Sequence, residues 1–140
     1  MKNVICTVIG AAGSGVAALF GGWDASLISL MMFMAVDYIT GLIVAGVFHN
    51  SPKTEGGALE SGAGWKGLCR KVMILGLVLV AVRLDMAVGT NYIRDAVCIA
   101  FMANELISII ENAGLMGVPI PPVILKAIDV LKNQGEGNGV

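Results

Sequence analysis

Four stretches of this chain, at roughly 4–21, 27–48, 68–88 and 93–110, are long runs of apolar residues. A hydrocarbon core about 30 Å thick is crossed by about 20 mostly apolar residues in a helix, so each run is long enough to span. Composition agrees. Of the 140 residues 56% are hydrophobic and only 14% charged, against about 25% charged in soluble domains. Mean hydropathy is +0.84. A soluble domain this apolar would expose large sticky patches. The expectation is an all-α integral membrane protein: one domain over 1–132 with about four transmembrane helices, a short amphipathic helix near 122–132 and a flexible tail at 133–140.

Several function classes drop out. A net charge of −1 gives nucleic acid nothing to bind. Cys6, Cys69 and Cys98 share no metal-ligand spacing, and their odd number argues against a disulfide framework. They read as small apolar residues. Lys2 before an apolar segment has the outline of a signal peptide, but the segment reads better as the first span. The Gly-rich stretches near residues 10 and 60 lack the flanking residues of phosphate- or dinucleotide-binding loops. His49 stands alone at a helix end, where interfacial solvation explains it. No nucleophile–base pair, His cluster or defensible pocket emerges, so neither an enzyme nor a cofactor is expected.

Basic residues set the orientation of a membrane chain, with the excess on the cytoplasmic side. The connection after the first span, around GWDAS, has no Lys or Arg, whereas the one from 49 to 67 carries Lys53 and Lys66 and leads into Arg70 and Lys71. The third connection has Arg94, and the tail has Lys126 and Lys132. With Lys2 included, placing both termini inside leaves seven of these residues cytoplasmic and one outside. The chain is expected to be multi-pass, with both termini and the 49–67 linker cytoplasmic.

The polar residues inside the spans carry the functional information. Span one repeats small residues at four-residue spacing through Gly10, Ala11, Ser14, Gly15, Ala18 and Gly22. That spacing lets helix backbones approach closely in lipid, equally well within a chain or between protomers. Span two places Asp37 at its middle with Thr40 and Gly41 beside it. A central Asp is unfavourable by about 2.5–3.5 kcal/mol, so a partner is expected. Arg83 is the first choice: Asp37 lies roughly 17 Å from Phe48, and Arg83 roughly 18 Å beyond Lys71, counted from the linker side. Asp85, two residues from Arg83, points to nearly the opposite face. Second choice is span four, where Asn104, Glu105, Ser108, Glu111 and Asn112 fall in one arc and should face a wet lumen or a polar seam; the alternative is an amphipathic helix lying flat at the interface. A protonated Asp37 bonded within span two or to span one is the remaining alternative. Beyond span four, Pro119, Pro121 and Pro122 forbid a continuous helix. The helix that follows has Ile124, Ile128 and Leu131 opposite Lys126 and Asp129.

These pieces in this order resemble the toxin-secretion/phage-lysis holin family, the TcdE-like holins of bacteriophages and prophages. The matching residues are Asp37-Tyr38-Ile39-Thr40-Gly41, the element from Gly64 to Lys71 (GWKGLCRK), Asn104 to Asn112 (NELISIIEN) and Gly117 to Pro121 (GVPIP). Within them Lys71, Glu105, Ser108, Glu111, Asn112, Pro119 and Pro121 are family-motif positions. The resemblance covers roughly 27–132, and NELISIIEN followed by GVPIP is its most specific part. It implies a non-enzymatic protein that accumulates in the cytoplasmic membrane of a bacterial host and assembles with copies of itself into lesions. These release an endolysin or a toxin, which need not touch the holin, and lyse the host cell. Two other classes are open: a small ion channel or proton-coupled exporter using Asp37 or Glu105, and an inhibitor that titrates another membrane protein.

Overall fold

The computed structural model describes residues 1–137 and contains five helices. They are α1 (Lys2–Leu19), α2 (Ala25–Gly46), α3 (Ser61–Val88), α4 (Ile93–Leu115) and α5 (Pro122–Gly137). No strand occurs among the described residues. Helices α1 and α2 are long and apolar enough to cross a membrane, while α3 and α4 carry more charged side chains along their length.

Helix boundaries differ from the expected spans where polar residues continue a helix past its apolar part. Helix α3 starts at Ser61, seven residues before the expected 68, so GWKG is its first turns and not a linker. Likewise α4 runs on through Glu111 and Asn112 to Leu115. Residues 133–137 of the expected tail continue α5, and 138–140 lie outside the described residues. The remaining connection, 47–60, is a tight set of turns. Ser51 N–H donates to Gly57 C=O at 3.0 Å, and the Thr54 hydroxyl to Ala58 C=O at 2.8 Å. Gly57 is required there: its φ is +71°, and a Cβ would run into the His49 carbonyl.

Helix α4 is the centre of the bundle, with α2 and α3 packed on it and touching each other only slightly. Toward the α1–α2 and α3–α4 turns the interior is apolar. Leu27, Leu30, Met34, Val78 and Cys98 form its buried core, backed by Phe20, Ile74, Leu75, Val97, Phe101 and Met102. Helix α1 stands apart. None of its residues is buried, and an apolar groove of about 810 Å³, walled by residues such as Ile9, Val16, Trp23, Met31 and Leu75, lies along it.

The α1–α2 turn is pinned by Arg94, a residue that sequence analysis used only in the charge count. Its guanidinium, 8% exposed, forks onto both carboxylate oxygens of Asp24 at 2.7 and 3.0 Å. It also donates to the carbonyls of Phe20 (2.5 Å) and Gly22 (3.1 Å) and to the Asp95 carboxylate (3.1 Å). Gly21, at φ +83°, leaves room for it; a Cβ there would sit 3.0 Å from Arg94 Nε. Asp24 is also the N-cap of α2, accepting from Leu27 N–H at 3.1 Å. Asp85 performs the same service for α4, whose own N-cap Tyr92 has no capping side chain. It accepts from Ile93 N–H (3.0 Å), Arg94 N–H (2.9 Å) and the Thr90 hydroxyl (2.6 Å). Its place in the bundle is thus a capping position.

Hydrogen bonding from Arg94 holds the Asp24 carboxyl below the ordinary aspartate value. Because the folded value lies below the unfolded one, the pair contributes fully above about pH 4. That contribution is lost as pH falls through the lower folded value. Arg94→Met should destabilise the bundle by about 3 kcal/mol in detergent unfolding, since it strands the turn carbonyls and Asp24. Asp24→Asn keeps the cap but removes the charge, and should abolish the part of the acid sensitivity below about pH 4. An unchanged acid transition in Asp24→Asn would exclude this clasp as its source.

Candidate functional site: a three-helix ion cluster

The half of the bundle nearer the 47–60 connection is polar where the other half is apolar. Asp37 comes from α2, Lys71 from α3 and Glu105 from α4. Lys71 Nζ donates to Asp37 Oδ2 and to Glu105 Oε2, both at 2.7 Å. The three side chains are 14%, 9% and 5% exposed, respectively for Lys71, Asp37 and Glu105. Asn112, buried two helical turns beyond Glu105 on α4, extends the cluster. Its amide donates to the Asp37 carbonyl (3.2 Å), Asp37 Oδ1 (3.1 Å) and Thr40 Oγ1 (2.9 Å). Thr40 passes its own proton back to Val36 C=O at 2.7 Å. Among the described residues no buried side-chain nitrogen or oxygen lacks a partner, as a polar group far from water requires.

Asp37 is therefore paired, but the expected pairing with Arg83 is not met. Helix heights give the reason. Asp37 lies nine residues from the Gly46 end of α2, Lys71 ten from the Ser61 start of α3, and Glu105 ten from the Leu115 end of α4. At 1.5 Å per residue all three stand roughly 14–15 Å above the linker-side ends. The expected start at 68 put Lys71 at the mouth of the helix; the real start puts it level with Asp37. Arg83 is about 33 Å up α3, near the opposite end. There its guanidinium is exposed and lies 3.7 Å from Met86 Sδ.

The stripe on α4 turns inward. Glu105 and Asn112 are buried and Ser108 is half-buried, so the arc forms a polar seam against α2 and α3. Asn104 and Glu111 are exposed at its edges. Glu111 Oε1 accepts from Lys132 Nζ at 2.7 Å, which ties α5 to α4 and raises the lysine's pKa. Ile128 of α5 is buried, whereas Ile124 and Leu131 remain more exposed. Tyr38 packs against the start of α3: its hydroxyl donates to Gly64 C=O at 3.3 Å, and its ring would lie 3.6 Å from a Cβ on Gly67. Gly41 faces Asn112, whose Nδ2 would be 3.8 Å from a Cβ there. Pro119 and Pro121 lie exposed in the turn between α4 and α5. On α1, by contrast, a Cβ added at Gly10 or Gly15 would meet nothing within 4 Å, and Ala11, Ser14 and Ala18 are exposed. Those small residues serve no packing within this chain.

Comparison with known proteins adds a lineage to this geometry. The profile of the bacteriophage holin family matches residues 14–133. The chain belongs to the bacteriophage holin family. Holins are membrane proteins and not enzymes, in keeping with a site made of ion pairs and amide bonds. A probable holin of Bacillus phage phi105 is 32% identical over 122 residues, covering 86% of this chain and 85% of its own. An uncharacterized protein of Listeria monocytogenes is 41% identical over 111 residues, 79% of this chain and 74% of the relative. One from Clostridium perfringens is 35% identical over 139 residues, 96% and 99%. No solved structure matches.

Removing Lys71 from this holin strands two buried carboxylates, and Lys71→Met should destabilise it by about 3–5 kcal/mol. In a double-mutant cycle, Asp37→Asn and Lys71→Gln should couple by about 0.5–3 kcal/mol, whereas Asp37→Asn and Arg83→Gln should be additive. Denaturation in mixed micelles measures both cycles. Coupling to Arg83 and not to Lys71 would contradict the assignment.

Proposed function

We propose that this holin accumulates in the cytoplasmic membrane of a bacterial host and assembles with its own copies into lesions. These release an endolysin, or a toxin, and end in lysis. The family match across residues 14–133 carries this reading. Helices α1 to α4 are the four spans, with both termini and the 47–60 connection in the cytoplasm. With Lys71 inside the ion cluster, the remaining Lys and Arg fall six to two in favour of that orientation. Of the two basic residues toward the other end, Arg94 has its charge met by Asp24 and Asp95, and Arg83 is exposed. Self-association runs through the small-residue face of α1, which is unoccupied within the chain and suited to close approach of another helix. The exporter reading loses support, since Lys71 already occupies both carboxylates that would hold a transported cation.

Induced expression should, after a delay, stop growth abruptly, collapse the membrane potential and let a co-expressed endolysin reach the wall. Continued growth with the protein at normal levels in the membrane would refute the lesion reading. For orientation, a cysteine at Glu55 in a background without Cys6 and Cys69 should resist impermeant thiol reagents in spheroplasts before lysis. One at Tyr92 should react, and the reverse pattern would invert the topology.

The α1 contact has its own test. Ala11→Leu and Gly15→Leu project into open space, so they should leave monomer stability within about 0.5 kcal/mol while weakening the crosslinked oligomer ladder in membranes. A ladder as strong as that of the unmodified protein would remove α1 from the contact.

A further inference from the structure

A cavity of about 240 Å³ opens beside the ion cluster and runs between α2, α3, α4 and the 47–60 connection. Its walls include Asp37, Lys71, Glu105 and Ser108, with Lys53 and Thr54 contributed by the connection. Ile74, one helical turn past Lys71, also borders it and packs against the apolar core of Leu27, Leu30, Met34, Val78 and Cys98. The cavity, whose side walls also include Leu42, Val44 and Leu59, therefore has its polar floor where the close-packed apolar half begins. An ammonium has three N–H donors. Lys71 uses two, on Asp37 and Glu105, and among the described residues the third has no protein partner. A space of this size has room for several waters, and the polar partners that would hold them are the cluster side chains with Ser108 and Thr54.

We propose that this cavity is a one-sided aqueous vestibule, entered from the end of the bundle that carries the 47–60 connection and closed by the apolar core. It admits water and small hydrophilic solutes as far as the ion cluster. In the intact protein Lys71 fills the cradle of Asp37 and Glu105, so the floor offers a free N–H to water; the cradle is open to an added primary ammonium only when the lysine is shortened. Water at the cluster keeps the three charges hydrated from one side while the bundle stays sealed on the other. The proposal does not depend on lesion formation, and it is tested on purified protein in nanodiscs, where a failure of the lesion reading would leave the outcome unchanged.

Two measurements decide it. In a background with the exposed Cys6 and Cys69 changed to Ser, Cys98 remains as a thiol of the apolar core at 0% exposure. Ser108→Cys then adds a thiol on the vestibule wall. Aminoethyl methanethiosulfonate, itself a small primary ammonium, should modify the Ser108→Cys thiol at least about tenfold faster than Cys98, because a thiol sealed in an apolar core is inert. Equal protection of the two would overturn the proposal. Separately, Lys71→Ala empties the cradle. Propylammonium should raise its thermal stability in a saturable way, whereas tetrapropylammonium, too large to enter, and propionate, of the wrong charge, should not. Propylammonium without effect, or all three ions acting alike, would overturn it too. Each measurement stands alone if the other variant does not fold.

Discussion

One ammonium between two carboxylates organises this bundle. Helices α2 and α3 scarcely touch, yet Lys71 of α3 reaches across to Asp37 of α2 and Glu105 of α4 with equal 2.7 Å contacts. In a low-dielectric interior such a set is unfavourable when any member is missing and far less so when complete. Its main contribution is therefore to specify an arrangement, since the three helices satisfy the cluster only at one relative height and rotation. Asn112 and Thr40 then extend that constraint along the α2–α4 contact.

The rest of the protomer follows from dividing polar and apolar work between its ends. Beyond Ile74 the interior is packed by Leu, Met, Val and Cys side chains, and stability there comes from packing and needs no polar partners. At the outermost turn Arg94 and Asp85 gather loose backbone groups, one at the exit of α1 and the other at the start of α4. Between the clasp and the ion cluster, α2, α3 and α4 are fixed at two levels. Helix α1 is held only at its exit.

Much of this was legible in the sequence, and the misses share a physical cause. Apolar runs located α1, α2 and the cores of α3 and α4, because a long uninterrupted apolar run is a strong helix signal. Asp37 announced a partner for the same reason. Periodicity put Glu105, Ser108 and Asn112 on one face and left open whether that face met a lumen or a seam. The partner's identity was lost because hydropathy ends a helix where charges begin, while the backbone continues: Ser61 to Gly67 are helical despite their polarity. Height on α3 was counted from Lys71, ten residues above the real start at Ser61, an error of about 15 Å that nearly equals the roughly 18 Å between Lys71 and Arg83. Arg94 was missed because its role depends on carbonyls of Phe20 and Gly22, and backbone acceptors leave no trace in composition.

The attachment of α1 gives it leverage. It is a rod of 18 residues, roughly 27 Å long, joined to the bundle through Gly21 and Gly22, which both have positive φ, and steadied there by a single guanidinium. A change of about 10° in the angle at that joint displaces the far tip by about 5 Å, half the diameter of a helix. Motions too small to disturb the clasp thus re-aim the whole glycine face of α1.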